Sequence, residues 1–332
     1  MEQFNMNEIR KTDSGFAMDY NLGNKEYLVE LVYPKEDSNY KVPYILVTPK
    51  QMSDNATLAV EANNLETENQ EGLVKNGLFT AYRLTNNLIE YDNPVLIPIL
   101  PSVKNGIPYY QQLSKECFLI PEASPFYRID LQVCNMIEEA KQKLSEHTIV
   151  NDKIFLNGYS SSGVFAQRFA LLHPEVVDTA CIGGASGSIP VPIEDLSYPL
   201  GIADYEELTG RSFDMKSYQQ IKFRYYVGSL EDTRKTSERF DENGNPAPMH
   251  DMSYFDRSVP KEEGRKEREM FGKNLIERSK KQIAIMQEMG MDIEEKVMEG
   301  RTHNNFNGHG VNELGDQFIK ETYKQTVYQK QL

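Results

Sequence analysis

The chain has 332 residues, 39% of them hydrophobic and 26% charged, a balance suited to one large domain with a packed core and insertions. Its formal charge of −14, from 50 acidic against 36 basic residues, would repel a phosphate backbone, and no basic stripe with interleaved aromatics offsets it, which excludes nucleic acid as a partner. No run approaches the roughly 20 apolar residues of a membrane span, and the polar stretch Met1 to Lys11 lacks a secretory apolar region, so no membrane association and a cytoplasmic location are expected.

The first fifty residues read as strands joined by turns. Tyr27 to Tyr33 ends at Pro34 and Val42 to Val47 ends soon after at Pro49, the boundaries of an antiparallel entry to a sheet. From about residue 56 short apolar runs alternate with helical patterns. The runs are Thr57–Ala62, Pro94–Leu100, Lys153–Asn157, Val177–Ile182, Phe223–Val227 and Glu294–Met298. The helical patterns are Glu71–Ile89, Ile129–Ser145, Ser162–Leu172 and Lys266–Met289. Strands buried on both faces by crossover helices make such a pattern, so the fold class expected is α/β with a mostly parallel sheet flanked by helices. The whole of 1–332 is read as one domain. Residues 187–221, which include Pro190, Pro192 and Pro199, and the highly charged 233–265, with the turn Asn243-Gly244-Asn245-Pro246, break the alternation and are expected to be cap or lid insertions.

Between the run ending at Asn157 and the helix ending at Leu172 lies Gly158-Tyr159-Ser160-Ser161-Ser162-Gly163. This is the strand–turn–helix context of a nucleophile elbow, in which a strained backbone lifts the serine Oγ clear of the sheet. Positions two before and two after the nucleophile must be small, and Gly158 and Ser162 meet that need around Ser160. In the other frame Ser161 would have Tyr159 two residues before it, where a ring collides with the neighbouring chain. Ser162 departs from the usual glycine. The bland alternative is a serine-rich turn that caps a helix.

The run from Phe155 to Glu175 resembles the elbow and following helix of bacterial α/β-hydrolase-fold serine hydrolases, most of all their esterase and polyester-depolymerase-like branch. The order of elements is similar over roughly residues 55–325, while the close motif match is confined to the elbow. The resemblance implies a Ser-His-acid triad in chain order serine, acid, histidine, with the site on loops leaving one edge of the sheet.

That geometry sorts the five histidines. His147 precedes the elbow strand and His173 ends the elbow helix, so both belong to the opposite edge, the latter near the helix's terminal carbonyls. His250 falls in the charged insertion. His303 and His309 follow the last strand, and His303 is favoured because Glu299-Gly300-Arg301-Thr302-His303 resembles the glycine-containing loop that presents the family's histidine. The acid should leave the preceding strand, where Gly228-Ser229-Leu230-Glu231-Asp232 is similar to the family's strand–Gly–x–x–Asp segment. Asp232 is the expected acid, with Glu231 beside it and Asp204 upstream as alternatives.

For the oxyanion hole, one N–H is expected from Ser161 at the start of the elbow helix, and a second from Asn64 or Leu65 in the loop after Thr57–Ala62, where the family's common His-Gly signature is missing. The reading calls for no cofactor and no metal. Gly183-Gly184-Ala185-Ser186-Gly187 lacks the Walker lysine and the dinucleotide spacing, and H-E-x-x-H is absent. Cys117, Cys134 and Cys181 offer neither a disulfide framework nor zinc spacing, so each is read as core filling. The run Lys261–Glu269 alternates in sign like a solvated helix face. The function expected is cleavage of a small-molecule or short polymeric carboxylic ester through an acyl-enzyme. The rivals are a peptidase, thioesterase or acyltransferase on the same triad, and a binding protein that keeps the fold without turnover.

Overall fold

The computed structural model describes residues 9–64, 69–102, 109–231, 235–240, 246–248, 258–301, 303 and 313–330. In chain order the first strands are β1 (Arg10–Thr12), β2 (Gly15–Leu22), β3 (Lys25–Val32), β4 (Tyr44–Pro49), β5 (Asn55–Ala56), β6 (Ala59–Val60) and β7 (Val95–Pro98). They are followed by β8 (Ile149–Val150), β9 (Ile154–Tyr159), β10 (Val177–Gly183), β11 (Lys222–Gly228), β12 (Lys235–Phe240), β13 (Pro246–Pro248) and β14 (Asp292–Met298). Ten of them form one sheet in the order β1-β2-β3-β4-β7-β6-β9-β10-β11-β14. The first four and β7 pair antiparallel, and from β7 through β6 to β14 every pairing is parallel.

Helices cover both faces because the parallel strands are apolar on both. On one side α1 (Gln70–Asn87) and α8 (Glu313–Thr326) bury Leu73, Ala81, Leu84, Ile319 and Tyr323 against Ile45, Val95, Ile97 and Phe155. On the other, α2 (Ile129–Leu144), α3 (Ser161–Leu172) and α7 (Leu275–Glu288) bury Val133, Met136, Phe165, Phe169, Ile283 and Met286 against Leu96, Leu156 and Phe223. Each such side chain contributes about 1.5–3 kcal/mol of burial, so the sheet's centre is the stiffest part of the molecule and a firm base for loops at its edge. The Asn69 side chain caps α1 by accepting the Glu71 N–H.

The pattern Lys266–Met289, expected as one helix, is two: α6 (Lys261–Phe271) ends at Gly272, and Asn274 caps α7 by accepting the Glu277 N–H. The alternating charges of α6 are not all solvated. Glu263 and Glu267 face inward, and burial pushes the Glu267 carboxyl up to about 7 although Arg278 lies nearby.

The stretch 187–221, expected as cap material, holds α4 (Tyr205–Thr209) and α5 (Met215–Gln219) and is built into the core. Ile189, Val191, Leu196, Tyr198 and Leu200 are fully buried, and the Tyr205 hydroxyl donates to the Leu172 carbonyl at the end of α3. Of 233–265, most of the first two-thirds, including the Asn243–Asn245 turn and His250, lies outside the described residues.

Candidate active site

The elbow lies where β9 turns directly into α3. Ser160 takes φ 57° and ψ −117°, a region that L-residues rarely occupy and that costs roughly 1–3 kcal/mol. Strand and helix approach so closely that a Cβ on Gly158 would stand 2.2 Å from the Ser162 carbonyl oxygen. Ser162, the departure from glycine, uses its hydroxyl inside the turn. The oxygen accepts the Tyr159 N–H at 2.9 Å and lies 3.0 Å from the Tyr159 carbonyl and 3.3 Å from Glu61 Oε1.

Ser160 Oγ lies 2.7 Å from His303 Nε2, so the hydroxyl donates to the imidazole. At the other side of the ring, Nδ1 is hydrogen-bonded to Glu231 Oε1, whose second oxygen accepts the Gly228 N–H at 3.3 Å. His303 is 8% and Glu231 7% exposed, so the charge-assisted contact is shielded from water. Glu231 and His303 are brought together by the parallel neighbours β11 and β14. Their exit loops are knitted by Ser229 N–H to Met298 O at 3.0 Å, Leu230 N–H to Arg301 O at 2.9 Å and Gly300 N–H to Ser229 Oγ at 2.9 Å.

Ser160 and His303 thus come together as the sequence pairs them, and the carboxylate on His303 is that of Glu231. Asp232, the expected acid, lies outside the described residues, as do Leu65 and His309. The signal for Glu231 was present in the spacing. Counting from Gly228, the Gly–x–x–acid pattern ends on Glu231, and this fold's triads accept glutamate as well as aspartate. The alternative Asp204 is engaged elsewhere, accepting the Tyr198 N–H at 2.6 Å and pairing with Lys115 at 2.6 Å.

Ser161 opens α3, so its N–H is one of the first-turn donors that have no carbonyl within the helix. Asn64 lies beside it. Its side-chain amide donates to the Tyr159 carbonyl at 2.8 Å, while its Oδ1 accepts the Ser162 N–H at 3.3 Å. The amide therefore clasps the elbow through its oxygen and one of its two N–H groups. Asn63 is fully buried and bridges to both backbone groups of Leu100.

Sequence reasoning missed the polar network beneath the elbow. Glu61, 1% exposed, pairs with Arg83 of α1 and accepts the Asn157 side-chain N–H at 2.5 Å. At the opposite edge His173 is buried with Nε2 3.0 Å from Asp130, and of the helix's terminal carbonyls expected near it, that of Leu172 accepts from Arg211 and Tyr205. Burial opposes ionisation of Asp130, yet hydrogen bonds from His173 and Arg128 hold its carboxyl well below the usual range. Cys117 and Cys181 are buried thiols pushed up to about 12 by desolvation. Tyr109 and Tyr110 are buried, and the Tyr109 hydroxyl lies 3.4 Å from Ser161 Oγ. A polar groove of about 760 Å³ between the N-terminal hairpins and α2, lined by Lys35, Asp37, Tyr40, Asn135 and Glu139, lies away from this chemistry. Among the described residues no cluster of three or more His, Cys, Asp and Glu is arranged to hold a metal, and no helix is long and apolar enough to cross a membrane.

Strand order, crossover helices and elbow define the α/β-hydrolase fold. Among solved structures, the chain is similar to poly(aspartic acid) hydrolase-1 from Sphingomonas sp. KT-1, at 13% identity over 94% of this chain and 98% of that one, with a TM-score of 0.55. It is also similar to LpqC, a poly(3-hydroxybutyrate) depolymerase from Bordetella parapertussis (10% identity, 91% and 88% covered, TM-score 0.49). A third similar structure is carboxyl esterase 2 from the mycorrhizal fungus Tuber melanosporum (10% identity, 98% and 93% covered, TM-score 0.49). No protein-family model matches the chain, and no curated protein matches it by sequence.

Proposed function

We propose that the chain is a cofactor-independent serine hydrolase that cleaves carboxylic esters, with Ser160 as nucleophile, His303 as base and Glu231 as the acid. The observation that carries this reading is the continuous contact from Ser160 Oγ through both nitrogens of His303 to Glu231, starting from a serine with elbow backbone angles. A serine hydroxyl is a poor nucleophile until a base removes its proton and a third group orients that base. Here Nε2 takes the Oγ proton as Oγ attacks the ester carbonyl, and Glu231 stabilises the imidazolium that forms. Negative charge gathers on the carbonyl oxygen, within reach of the Ser161 N–H and of a backbone N–H from the loop of Asn64 and Leu65. Collapse expels the alcohol, which takes the proton from Nε2. Water then gives a proton to His303 as it attacks the acyl-enzyme, and collapse releases the acid while the Ser160 Oγ takes that proton back from Nε2. The substrate class, a small-molecule or short polymeric ester, is argued from the chemistry of these three side chains; the structural likeness, at 13% identity, carries the fold alone.

The test is hydrolysis of p-nitrophenyl esters of increasing acyl length by wild type and Ser160→Ala, with fluorophosphonate labelling of both. Ser160-dependent turnover and labelling are expected. Wild-type protein that is folded yet neither labelled nor active, beside a reactive control esterase, refutes the reading. Thioester and peptide substrates in the same panel separate esterase from the other acyl-transfer chemistries.

A further inference from the structure

Tyr159, the residue between Gly158 and Ser160, reaches three parts of the site through three different polar atoms. Its N–H donates to Ser162 Oγ at 2.9 Å, inside the elbow. Its carbonyl accepts the Asn64 amide at 2.8 Å, which ties in the loop after β6. Its hydroxyl, buried with the rest of the side chain, donates to the main-chain carbonyl of His303 at 2.7 Å. The ring also packs on the imidazole, with centroids 5.1 Å apart and planes 40° from parallel. From the other side both rings are pressed by the backbone at Gly184, which has φ +59°. A Cβ there would stand 2.9 Å from Tyr159 Cζ and 3.0 Å from His303 Cε1.

The consequence is geometric. His303 is carried by a loop, and loops are the softest parts of a fold. Its imidazole must nevertheless meet an Oγ that a rigid strand–helix junction holds still. The Tyr159 hydroxyl fixes the backbone from which the imidazole hangs to the residue covalently joined to Ser160. The separation of nucleophile and base is thereby set through one side chain, independently of the longer path around the sheet.

We infer that Tyr159 is a positioning residue for the base: its hydroxyl tethers the His303 loop to the elbow and so sets the Ser160–His303 geometry. This rests on the catalytic reading above. A displaced imidazole is a poorer base in acylation and in deacylation alike, whereas ester binding is untouched, so the loss falls on kcat and spares KM.

The experiment compares wild type with Tyr159→Phe, which keeps the ring and removes only the tether. Rates on p-nitrophenyl esters are normalised to sites titrated with fluorophosphonate and measured across pH. In Y159F kcat is expected to fall by roughly tenfold, the equivalent of one buried hydrogen bond, with KM unchanged. The ascending limb of kcat/KM is expected to move to lower pH, because a loosened loop weakens the hold of Glu231 on the imidazolium. Unchanged kcat and pH limb in Y159F, with Ser160-dependent labelling intact, overturns the tether and leaves the triad standing. A lowered melting temperature with rates per titrated site and pH limb unchanged makes Tyr159 merely structural, and also overturns it. Absence of Ser160 labelling in wild type removes the triad itself, and the tether with it. Should Y159F not accumulate folded, Gly184→Ala pushes the same two rings apart and is expected to show the same kcat-selective loss; a wild-type kcat in G184A refutes the proposal.

Discussion

Two adjacent carboxylates, Glu231 and Asp232, leave the strand before the histidine, and substitution of each in turn decides between them. Glu231→Gln preserves shape and removes the charge that His303 Nδ1 faces. The amide can present its NH2 to Nδ1 and so stabilise the tautomer that leaves Nε2 protonated and unable to accept the Ser160 proton. Even when it accepts from Nδ1–H, the imidazolium loses its counter-charge in a site where both partners are less than a tenth exposed. For a triad acid this amounts to about 10³–10⁴-fold in kcat, or about 4–5.5 kcal/mol of transition-state stabilisation at about 1.4 kcal/mol per decade. Glu231→Asp keeps the charge and withdraws it by about one carbon–carbon bond, roughly 1.5 Å. A misplacement on that scale costs on the order of 10–100-fold. Asp232→Asn keeps the charge that faces Nδ1 and should change kcat by no more than about twofold. The assay is kcat on a p-nitrophenyl ester normalised to titrated sites. Collapse of D232N beside a nearly intact E231Q would refute the assignment and return the acid to Asp232.

Other predictions concern the frame. Gly158→Ala drives a Cβ to 2.2 Å from the Ser162 carbonyl and cannot be relieved by moving a flexible side chain; it should cost about 3 kcal/mol or more in chemical denaturation, or prevent folding, and an unchanged midpoint would contradict the close approach. Asp130→Asn breaks a buried cluster with His173 and Arg128 and should destabilise by about 3–5 kcal/mol near neutral pH. Because the Asp130 carboxyl is held below its usual range when folded, its contribution is complete above the ordinary aspartate pKa and disappears as pH falls through the folded value. The acid limb of the wild-type stability curve should therefore flatten in D130N, and a parallel curve would disprove that linkage.

The elements most legible in the sequence are those with strong physical signatures. The largely apolar runs that became β9, β10 and β11 are short and bounded by polar or glycine residues, and the elbow announces itself by small residues at fixed distance from Ser160. The shared edge of a parallel sheet then leads to His303. What stayed illegible depends on which way side chains face. Glu231 and Asp232 are adjacent in the chain, and although the Gly–x–x–acid spacing ends on Glu231, the resemblance implies an aspartate and so draws the reading to Asp232. The alternating charges of α6 read as solvated although Glu263 and Glu267 turn inward, because burial of a charge depends on partners distant in sequence. The prolines of 187–221 suggested an excursion over the site, while Ile189, Val191, Leu196 and Leu200 point into the core beside α3. Likewise the run Thr57–Ala62 is regular strand only at Ala59 and Val60, although the Glu61 and Asn63 N–H groups still reach the Leu96 and Pro98 carbonyls of β7 at 3.2 and 3.4 Å.

The polar residues at the end of that run account for the unusual fifth position of the elbow. A nucleophile at φ 57° is strained, and something in its surroundings must offset roughly 1–3 kcal/mol. In this chain the offset is polar. Ser162 returns its hydroxyl to both backbone groups of Tyr159, and the same oxygen reaches Glu61, whose charge is balanced by Arg83 and whose other oxygen holds Asn157 of β9. A glycine at 162 would leave the buried Tyr159 N–H without that acceptor, a penalty of about 1–3 kcal/mol at the point where strain is stored. The serine is therefore part of a buried hydrogen-bonded frame that joins strand β6, strand β9 and the elbow. Since Asn64 lies three residues beyond Glu61 on the same exit, that frame also fixes the loop proposed to receive the oxyanion. Ser160 and Asn64 are thus held by one connected set of groups, which relates the substitution at 162 to the acidic residue at the end of a neighbouring strand.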